Sequence, residues 1–163
     1  MLQKVADLME RARQAIGQGI IYKLGSGGMK PEQASPANQD NECDCSGFAV
    51  WALGMSRMTN HPLYLKFNQG WINTDSICLD AKQSTGFFTE ISQPRVGCLV
   101  VFPKNSDYGH VGIVSDVANN ETIKVIHCSS SNYKKFDDAI QETSPEVFDV
   151  PDRIFAWFDG IIG

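Results

Sequence analysis

The sequence DCSGF at residues 44–48 lies where a polar stretch gives way to an apolar helical pattern. Residues 25–41 are rich in Gly, Ser, Pro, Asn and Gln, which predicts a long loop before it. Apolar residues then recur at helical spacing to about Met58, and Asp44 or Ser46 is suited to cap this helix. The pattern therefore predicts a cysteine in the first turn of a helix, where free amides and the helix dipole favour a thiolate.

Two histidines change how Cys45 is interpreted. Alone, it is most simply a buried structural cysteine, because free cysteines usually behave as small core residues. His110 lies between two glycines at the start of an apolar strand, and His127 ends the next predicted strand. If these strands pair through a turn at Asn119-Asn120, the two imidazoles lie side by side and one can orient the other. A cysteine nucleophile needs a base and a group that holds it, so these residues predict nucleophilic catalysis.

The remaining patterns predict an α+β fold. Apolar residues at helical spacing predict a helix over residues 2–16, closed by Gly17 and Gly19. Later predicted elements are a short helix at 76–82 and strands at 86–91, 97–102, 110–117, 122–128 and 154–158. Helices followed by consecutive strands with short turns indicate a mostly antiparallel sheet in a single domain over residues 1–163.

Composition excludes several classes of protein. The formal net charge of −5 argues against non-specific binding to nucleic acid or anionic membranes, which requires basic surfaces. No stretch approaches the roughly 20 apolar residues of a membrane span. The first 22 residues lack the continuous apolar segment of a secretory signal, so we expect synthesis in the cytoplasm without Sec export.

The motifs around the cysteine and the histidines resemble those of the NlpC family of papain-like cell-wall peptidases. DCSGF at 44–48 resembles the family's cysteine motif, and GHVGI at 109–113 with VIH at 125–127 resembles its histidine-bearing strands. Two further matches are the Tyr-x-x-Gly element in IYKLG at 21–25 and the preceding strand in PRVGCLVVF at 94–102. The cysteine and histidine motifs occurring together are specific, whereas either alone is a weak signal.

The resemblance implies a papain-like fold, with N-terminal helices packed on a mostly antiparallel sheet that carries the histidines. It implies that Cys45 is the nucleophile, that His110 is the general base and later the acid, and that His127 holds the His110 imidazole. The tyrosine of the family's Tyr-x-x-Gly element lies beside the active site, so Tyr22 is a candidate oxyanion or substrate contact.

The resemblance also implies a substrate class. Family members cleave amide bonds in peptidoglycan stem peptides, often between D-glutamate and diaminopimelate, and need no cofactor. Asp44 and Ser46 would contact the free amino end of such a peptide. Acting on the cell wall would require non-Sec export or lysis, as for a phage lysin or an injected effector, and an immunity or inhibitor protein would be a natural partner.

Two alternatives stay open at this point. A related papain-like enzyme could instead be an N-acetylmuramoyl-L-alanine amidase, or another amidase or acyltransferase. The non-enzymatic alternative is a catalytically silent binding domain, although such relatives usually lose the cysteine or the histidine.

Other features have simpler interpretations. The five cysteines are an odd, irregularly spaced set, which is a poor disulfide framework. Cys43, Cys45, His127 and Cys128 do not have the spacing of a usual zinc site, so no metal is expected, and Cys43 and Cys128 are interpreted as bystanders or redox partners of Cys45. The following features have structural interpretations: Trp71 as core, with a claim to the rim of the cleft; His61 as exposed; and 129–135 as a solvated loop.

Overall fold

The structure, a computed structural model, describes residues 3–104 and 107–163. Its centre is a six-stranded sheet. The strands are β4 (Phe88–Ile91), β5 (Leu99–Phe102), β6 (His110–Ala118), β7 (Glu121–Cys128), β8 (Ile140–Thr143) and β9 (Ile154–Phe158). Their order is β4-β9-β5-β6-β7-β8, and every neighbouring pair is antiparallel. The prediction of an α+β fold with a mostly antiparallel sheet is confirmed.

Helices and short strand pairs surround this sheet. The α-helices are α1 (Val5–Gln14), α2 (Cys45–Ala52), α3 (Pro62–Asn68), α4 (Thr74–Gln83) and α5 (Ser130–Phe136), and Glu146–Phe148 form a 3-10 turn. The short strands β1 (Gln3–Lys4) and β10 (Ile161–Ile162) pair in parallel, as do β2 (Ile21–Tyr22) and β3 (Glu42–Cys43). No helix in the described part of the chain is long and apolar enough to cross a membrane.

Both faces of strand β5 are buried, which explains its uninterrupted apolar sequence. Leu99 and Val101 belong to the main core, which includes buried residues of α1, α2 and α4. Val100 and Phe102 point the other way, into a smaller cluster that includes Phe148. A strand covered on both sides carries no polar alternation, so the run LVVF is buried throughout.

The turn between β6 and β7 forms where the sequence predicts it. Asn119 and Asn120 both have positive φ, 53° and 62°, a conformation that asparagine tolerates in tight hairpins. Ala118 pairs with Glu121 across this turn, and the ladder continues to Ile113 and Ile126 with an irregularity near Asp116. The hairpin brings the two histidine-bearing strands side by side.

Several element boundaries differ from the predictions. The helix expected to reach Met58 ends at Ala52, because the chain turns at Gly54 with φ 75°. The N-terminal helix begins at Val5 rather than at Leu2, which lies outside the described residues. The solvated-loop prediction for residues 129–135 is wrong, since Ser129 caps α5 by accepting a hydrogen bond from the Asn132 amide.

Two further elements had no clear sequence signal. Helix α3 starts at Pro62, and His61 caps it through Nδ1, which accepts a hydrogen bond from the Leu63 amide. The side chain of His61 is half-buried against Phe87, so its structural role is confirmed and its expected exposure is wrong. The edge strand β8 was not predicted, and it pairs with β7 beside His127.

Gly112 makes room for the packing behind the histidines. A β-carbon at this position would lie 2.4 Å from Cγ1 of Val125, 3.0 Å from Cβ of His127 and 3.0 Å from Cζ of Phe148, all tighter than ordinary van der Waals contact. Phe148 in turn stacks on the His110 ring, with centroids 4.9 Å apart and planes 12° apart. A side chain at residue 112 would therefore push Phe148 away from the imidazole it supports.

Replacing Gly112 with Ala is expected to lower the free energy of unfolding by about 1–3 kcal/mol, the usual cost of overpacking a core. Urea unfolding followed by circular dichroism measures the change. Asp116→Ala, an exposed change on the same strand, is the control and should stay within about 0.5 kcal/mol. A Gly112→Ala protein as stable as this control would contradict the packing argument.

Candidate active site

Cys45 is the first residue of α2, as predicted, and Asp44 fixes that position. One carboxylate oxygen of Asp44 accepts a hydrogen bond from the Gly47 amide at 2.8 Å, which caps the helix. The other oxygen accepts from the Gly25 amide at 2.7 Å and joins the helix start to the preceding loop. Only 5% of Cys45 is exposed, so its thiol lies at the base of a cleft rather than on the surface.

A buried arginine that the sequence analysis missed holds this helix start. Nη1 of Arg57 lies 2.6 Å from Asp44, and Nη2 donates to the Ser46 hydroxyl at 2.9 Å. Arg57 is 1% exposed, and its guanidinium stacks on Trp71 at 4.1 Å. Trp71 lines the cleft and is only half-buried, so the rim position considered for it matches the structure better than the core.

In the free protein, Asp44 and Ser46 already have partners. Both side chains are at most 3% exposed, and each contacts the guanidinium of Arg57. Both residues also line a cavity beside Cys45, so direct contact of Asp44 and Ser46 with substrate stays a prediction. Their visible role is structural, because they order the first turn of the cysteine helix.

The two histidines lie together at the neighbouring strands β6 and β7. Nε2 of His110 lies 2.8 Å from Nδ1 of His127, and Nε2 of His127 lies 2.8 Å from the Thr143 hydroxyl. Each of the two histidines is only 4% exposed. Thr143 had no place in the sequence analysis, because β8 itself was not predicted.

The start of β6, which carries His110, lies close to Cys45. The backbone amide of Val111, the residue after His110, is near enough to the Cys45 sulfur to act on its pKa, which it lowers. Helix α2 also packs on both histidine-bearing strands. The structure therefore brings the predicted nucleophile, base and orienting residue to one place.

Burial dominates the protonation of the site. It raises the pKa of Cys45 to about 12, an effect that the charge of Asp44 reinforces, while the Val111 amide and Arg57 act in the opposite direction. Burial also lowers the pKa of His110 to about 3, helped by nearby His127. The lowered thiol pKa expected from the sequence is therefore wrong for the free protein, in which the neutral thiol and neutral imidazole are favoured.

Tyr22 lies where the sequence analysis expected it, at the wall of the cleft. It is the last residue of β2, where it pairs with Cys43 of β3, and it is half-buried. Burial and the neighbouring Cys45 raise the pKa of its phenol, so the hydroxyl keeps its proton and can donate a hydrogen bond. This state suits the oxyanion or substrate contact proposed for it.

The cleft consists of two cavities with common walls. One, of about 340 Å³, lies on the side of Cys45, and the other, of about 540 Å³, lies on the side of the histidines. Tyr22 and Tyr108 line both cavities. No residue from 26 to 41 lines either one, so this long loop leaves the described cleft uncovered. It packs against α2 instead, where the Trp51 indole donates to the Gln33 carbonyl, and Arg57 donates to the Ser26 carbonyl.

All five cysteines are free and buried. The thiol of Cys128 lies 3.5 Å from the Cys43 carbonyl oxygen, and burial together with Cys43 raises the pKa of Cys128 well above its usual value. Among residues 3–104 and 107–163, no group of three or more His, Cys, Asp or Glu side chains is arranged to hold a metal ion.

Removing Arg57 would leave the Asp44 carboxylate buried without its partner. We expect Arg57→Met to lower the free energy of unfolding by about 3–5 kcal/mol, the usual cost of breaking a buried pair. Arg13→Met is the matched control: it removes the Arg13–Glu142 pair, in which the arginine side chain is 50% exposed, and should cost at most about 1 kcal/mol. Equal losses in urea unfolding would contradict a special role for Arg57.

The histidines predict acid sensitivity. Burial lowers the pKa of His127 to about 4, against about 6.5 in an unfolded chain. Between these values the unfolded chain binds a proton that the folded protein does not, so stability is present above pH 6.5 and is lost as the pH falls. His127→Gln should therefore reduce the loss between pH 6 and pH 5 by roughly 1.2 kcal/mol.

Urea unfolding at pH 7, 6 and 5 measures this dependence. Ser130→Ala, a change in the same cavity that removes no titratable group, is the control and should keep the wild-type slope. The same slope in His127→Gln as in the wild type would show that His127 is not held neutral by burial.

Comparison with known proteins agrees with this geometry. The CHAP domain family matches residues 36–129, more than half of the chain. No curated protein sequence matches the chain significantly. Two solved structures share the fold, one described as "The crystal structure of Ly7917" and the other as "The crystal structure of Ly7917 with the hydrolyzing product of MDP".

The likeness to these structures concerns the fold. The first is 18% identical with a TM-score of 0.56, and the alignment covers 97% of this chain and 63% of that one. The second is 17% identical with a TM-score of 0.52, covering 94% and 62%. This chain thus spans less than two thirds of the length of its structural neighbours. It belongs to the CHAP domain family of papain-like cysteine peptidases and amidases, which is related to the NlpC family that its motifs resemble.

Proposed function

We propose that this protein hydrolyses an amide bond in the stem peptides of bacterial peptidoglycan, with Cys45 as nucleophile, His110 as base and His127 as the residue that orients it. The observation that carries the proposal is the 2.8 Å contact between Nε2 of His110 and Nδ1 of His127, placed next to a cysteine at a helix start. A cysteine, a base and an orienting group in this order support acyl transfer.

The reaction begins with proton transfer from the Cys45 thiol to His110 as the sulfur attacks the carbonyl carbon of the substrate. The negative charge that develops on the carbonyl oxygen would be stabilised by the backbone amide of Cys45 and by the Tyr22 hydroxyl. His110 then protonates the leaving amine, the C–N bond breaks, and a thioester remains on Cys45. Water attacks the thioester, giving a proton to His110, and the carboxylic acid and the free thiol are released.

The shape of the cleft supports a peptide substrate. The cavities on the two sides of the cysteine–histidine pair provide room for chain on both sides of the cleaved bond. Tyr108, which is 54% exposed, and Trp71 provide aromatic surface, whereas serines 129, 130 and 131 provide hydroxyl groups on the histidine side. Mixed aromatic and hydroxyl walls suit a peptide joined to a sugar.

The choice of peptidoglycan as substrate is supported by the relatives. CHAP family membership and a structural neighbour described with a hydrolysis product of MDP, muramyl dipeptide, both favour a cell-wall substrate. The leading proposal is an endopeptidase of the D-glutamyl–diaminopimelate type. The same neighbour's product favours N-acetylmuramoyl-L-alanine amidase as the second candidate, because muramyl dipeptide contains the bond that such an amidase cuts.

Digestion of purified peptidoglycan tests the proposal. Wild-type protein should release fragments whose new termini, identified by mass spectrometry, define the bond. New amino termini on diaminopimelate indicate the endopeptidase, and new termini on L-alanine indicate the amidase. Cys45→Ala and His110→Ala should each reduce the rate by on the order of 10⁴-fold or more, since both act in the same step.

Cys98→Ala is the matched control, because it removes another buried thiol that lies in the smaller core cluster away from the cleft. It should retain cleavage if folded. Wild-type rates in Cys45→Ala would exclude this cysteine as the nucleophile, and no cleavage of several chemically different peptidoglycans by the wild type would contradict the substrate class.

The cellular setting follows from the proposed substrate. We propose that the protein acts at the cell wall, which it would reach by non-Sec export or by lysis. We also propose that an immunity or inhibitor protein controls it. Cleavage of isolated peptidoglycan by the purified protein is the first test of both proposals.

A further inference from the structure

The Thr143 hydroxyl lies between a histidine and a carbonyl group. Its oxygen is 2.8 Å from Nε2 of His127 and 2.9 Å from the backbone carbonyl oxygen of Ser144. A hydroxyl has one proton to donate, and a carbonyl oxygen only accepts. When Thr143 donates to the Ser144 carbonyl, it can only accept from His127, and Nε2 of His127 must then carry the proton.

This assignment determines the protonation of both histidines. Burial lowers the pKa of His127 to about 4, so near pH 7 its ring is neutral and carries a single N–H. With that proton on Nε2, Nδ1 of His127 is an acceptor. The 2.8 Å contact with His110 then requires a proton on Nε2 of His110, which leaves Nδ1 of the neutral His110 ring unprotonated.

We propose that Thr143 is a positioning residue that sets the tautomers of both histidines, so that His110 presents an unprotonated nitrogen to Cys45. The inference rests on the roles proposed for Cys45, His110 and His127. The chain of donors runs from His110 through His127 and Thr143 to the carbonyl of Ser144. Each member donates to the next, and the carbonyl at the end cannot reverse the direction.

The register of the sheet explains why Thr143 is the residue that contacts Nε2 of His127. His127 of β7 pairs directly with Gln141 of β8, but the Gln141 amide donates to Asp138 at 2.8 Å and is engaged there. Thr143 lies two residues further along β8, on the same face as Gln141 and diagonal to His127. The turn after β8 then places the Ser144 carbonyl within reach of the hydroxyl.

The direction of this chain affects the reaction at one atom. In the proposed arrangement, Nδ1 of His110 takes the proton of the Cys45 thiol, and the imidazolium that forms keeps its Nε2 proton in the hydrogen bond to His127. In the reversed arrangement, Nδ1 of His110 would already carry a proton and could not act as the base. No proton needs to pass beyond His110 in either half of the reaction.

Nitrogen-15 NMR of the protein labelled at histidine measures the tautomers directly, because protonated and unprotonated imidazole nitrogens have well-separated shifts. The chain has three histidines, so a His61→Gln spectrum identifies the signals of the other two. The wild type near pH 7 should show His110 and His127 both protonated at Nε2 and unprotonated at Nδ1. A proton on Nδ1 of either neutral ring would overturn the proposal.

Two substitutions test the part played by the hydroxyl. Thr143→Val keeps the shape of the side chain and removes the acceptor, so the His127 signals should show a second tautomer. Peptidoglycan cleavage should fall on the order of 10-fold or more, since a wrongly protonated base costs as much as about 10⁴-fold in the Ser-His-Asp triad. Thr143→Ser keeps the hydroxyl and should restore both the wild-type tautomers and most of the rate.

The outcomes separate this inference from the proposed function. The tautomers are measured without substrate, so a protein that cleaves no peptidoglycan can still confirm or overturn the part played by Thr143. Wild-type tautomers and wild-type rate in Thr143→Val would overturn it. If that variant fails to fold, as judged by its His61 signals, Thr143→Ala provides the same comparison with a smaller side chain.

Discussion

The ion pair between Asp44 and Arg57 is the interaction on which the arrangement of the site depends. A carboxylate and a guanidinium that are both nearly inaccessible to water are expensive to bury, and only close contact with each other offsets that cost. The pair also orders the surrounding backbone. Asp44 caps the helix of Cys45, and Arg57, which is bound to Asp44, donates hydrogen bonds to the carbonyls of Ser26 and Ile72. The ion pair thus holds Cys45 in place independently of any contact with the histidines.

The loop that contains Gly28 passes very close to the first turn of helix α2, which contains Gly47, and this close approach makes the ion pair possible. A β-carbon on Gly28 would lie 2.5 Å from the Gly47 carbonyl oxygen, and one on Gly47 would lie 2.9 Å from the Arg57 guanidinium and 2.9 Å from the Ser26 carbonyl oxygen. The glycine in DCSGF is therefore a packing requirement. At the start of the long polar segment, the carbonyls of Ser26 and Gly27 accept hydrogen bonds from Arg57.

The sequence predicted the fold class and three candidate site residues that the structure places near one another, because these depend on short-range patterns: a loop-to-helix transition, and apolar strands joined by an Asn-Asn turn. It did not identify Arg57 or Thr143. Arg57 resembles any surface arginine until the fold buries it against Asp44, and Thr143 lies on an edge strand whose sequence, IQET, has little strand character. Residues that act through tertiary contacts leave no periodic signal, so the support around the site appeared only in the structure.

Burial makes each reacting group hard to ionise alone, and this has a consequence for catalysis. A free thiolate at Cys45 or an imidazolium at His110 would each be disfavoured in the closed, apolar surroundings of β6 and Phe148. In the proposed reaction, proton transfer between them would form both charges together, and attack on a carbonyl would then move the negative charge to an oxygen near the Cys45 amide and Tyr22. In the proposed reaction, the site would therefore favour charge separation when a substrate carbonyl is present.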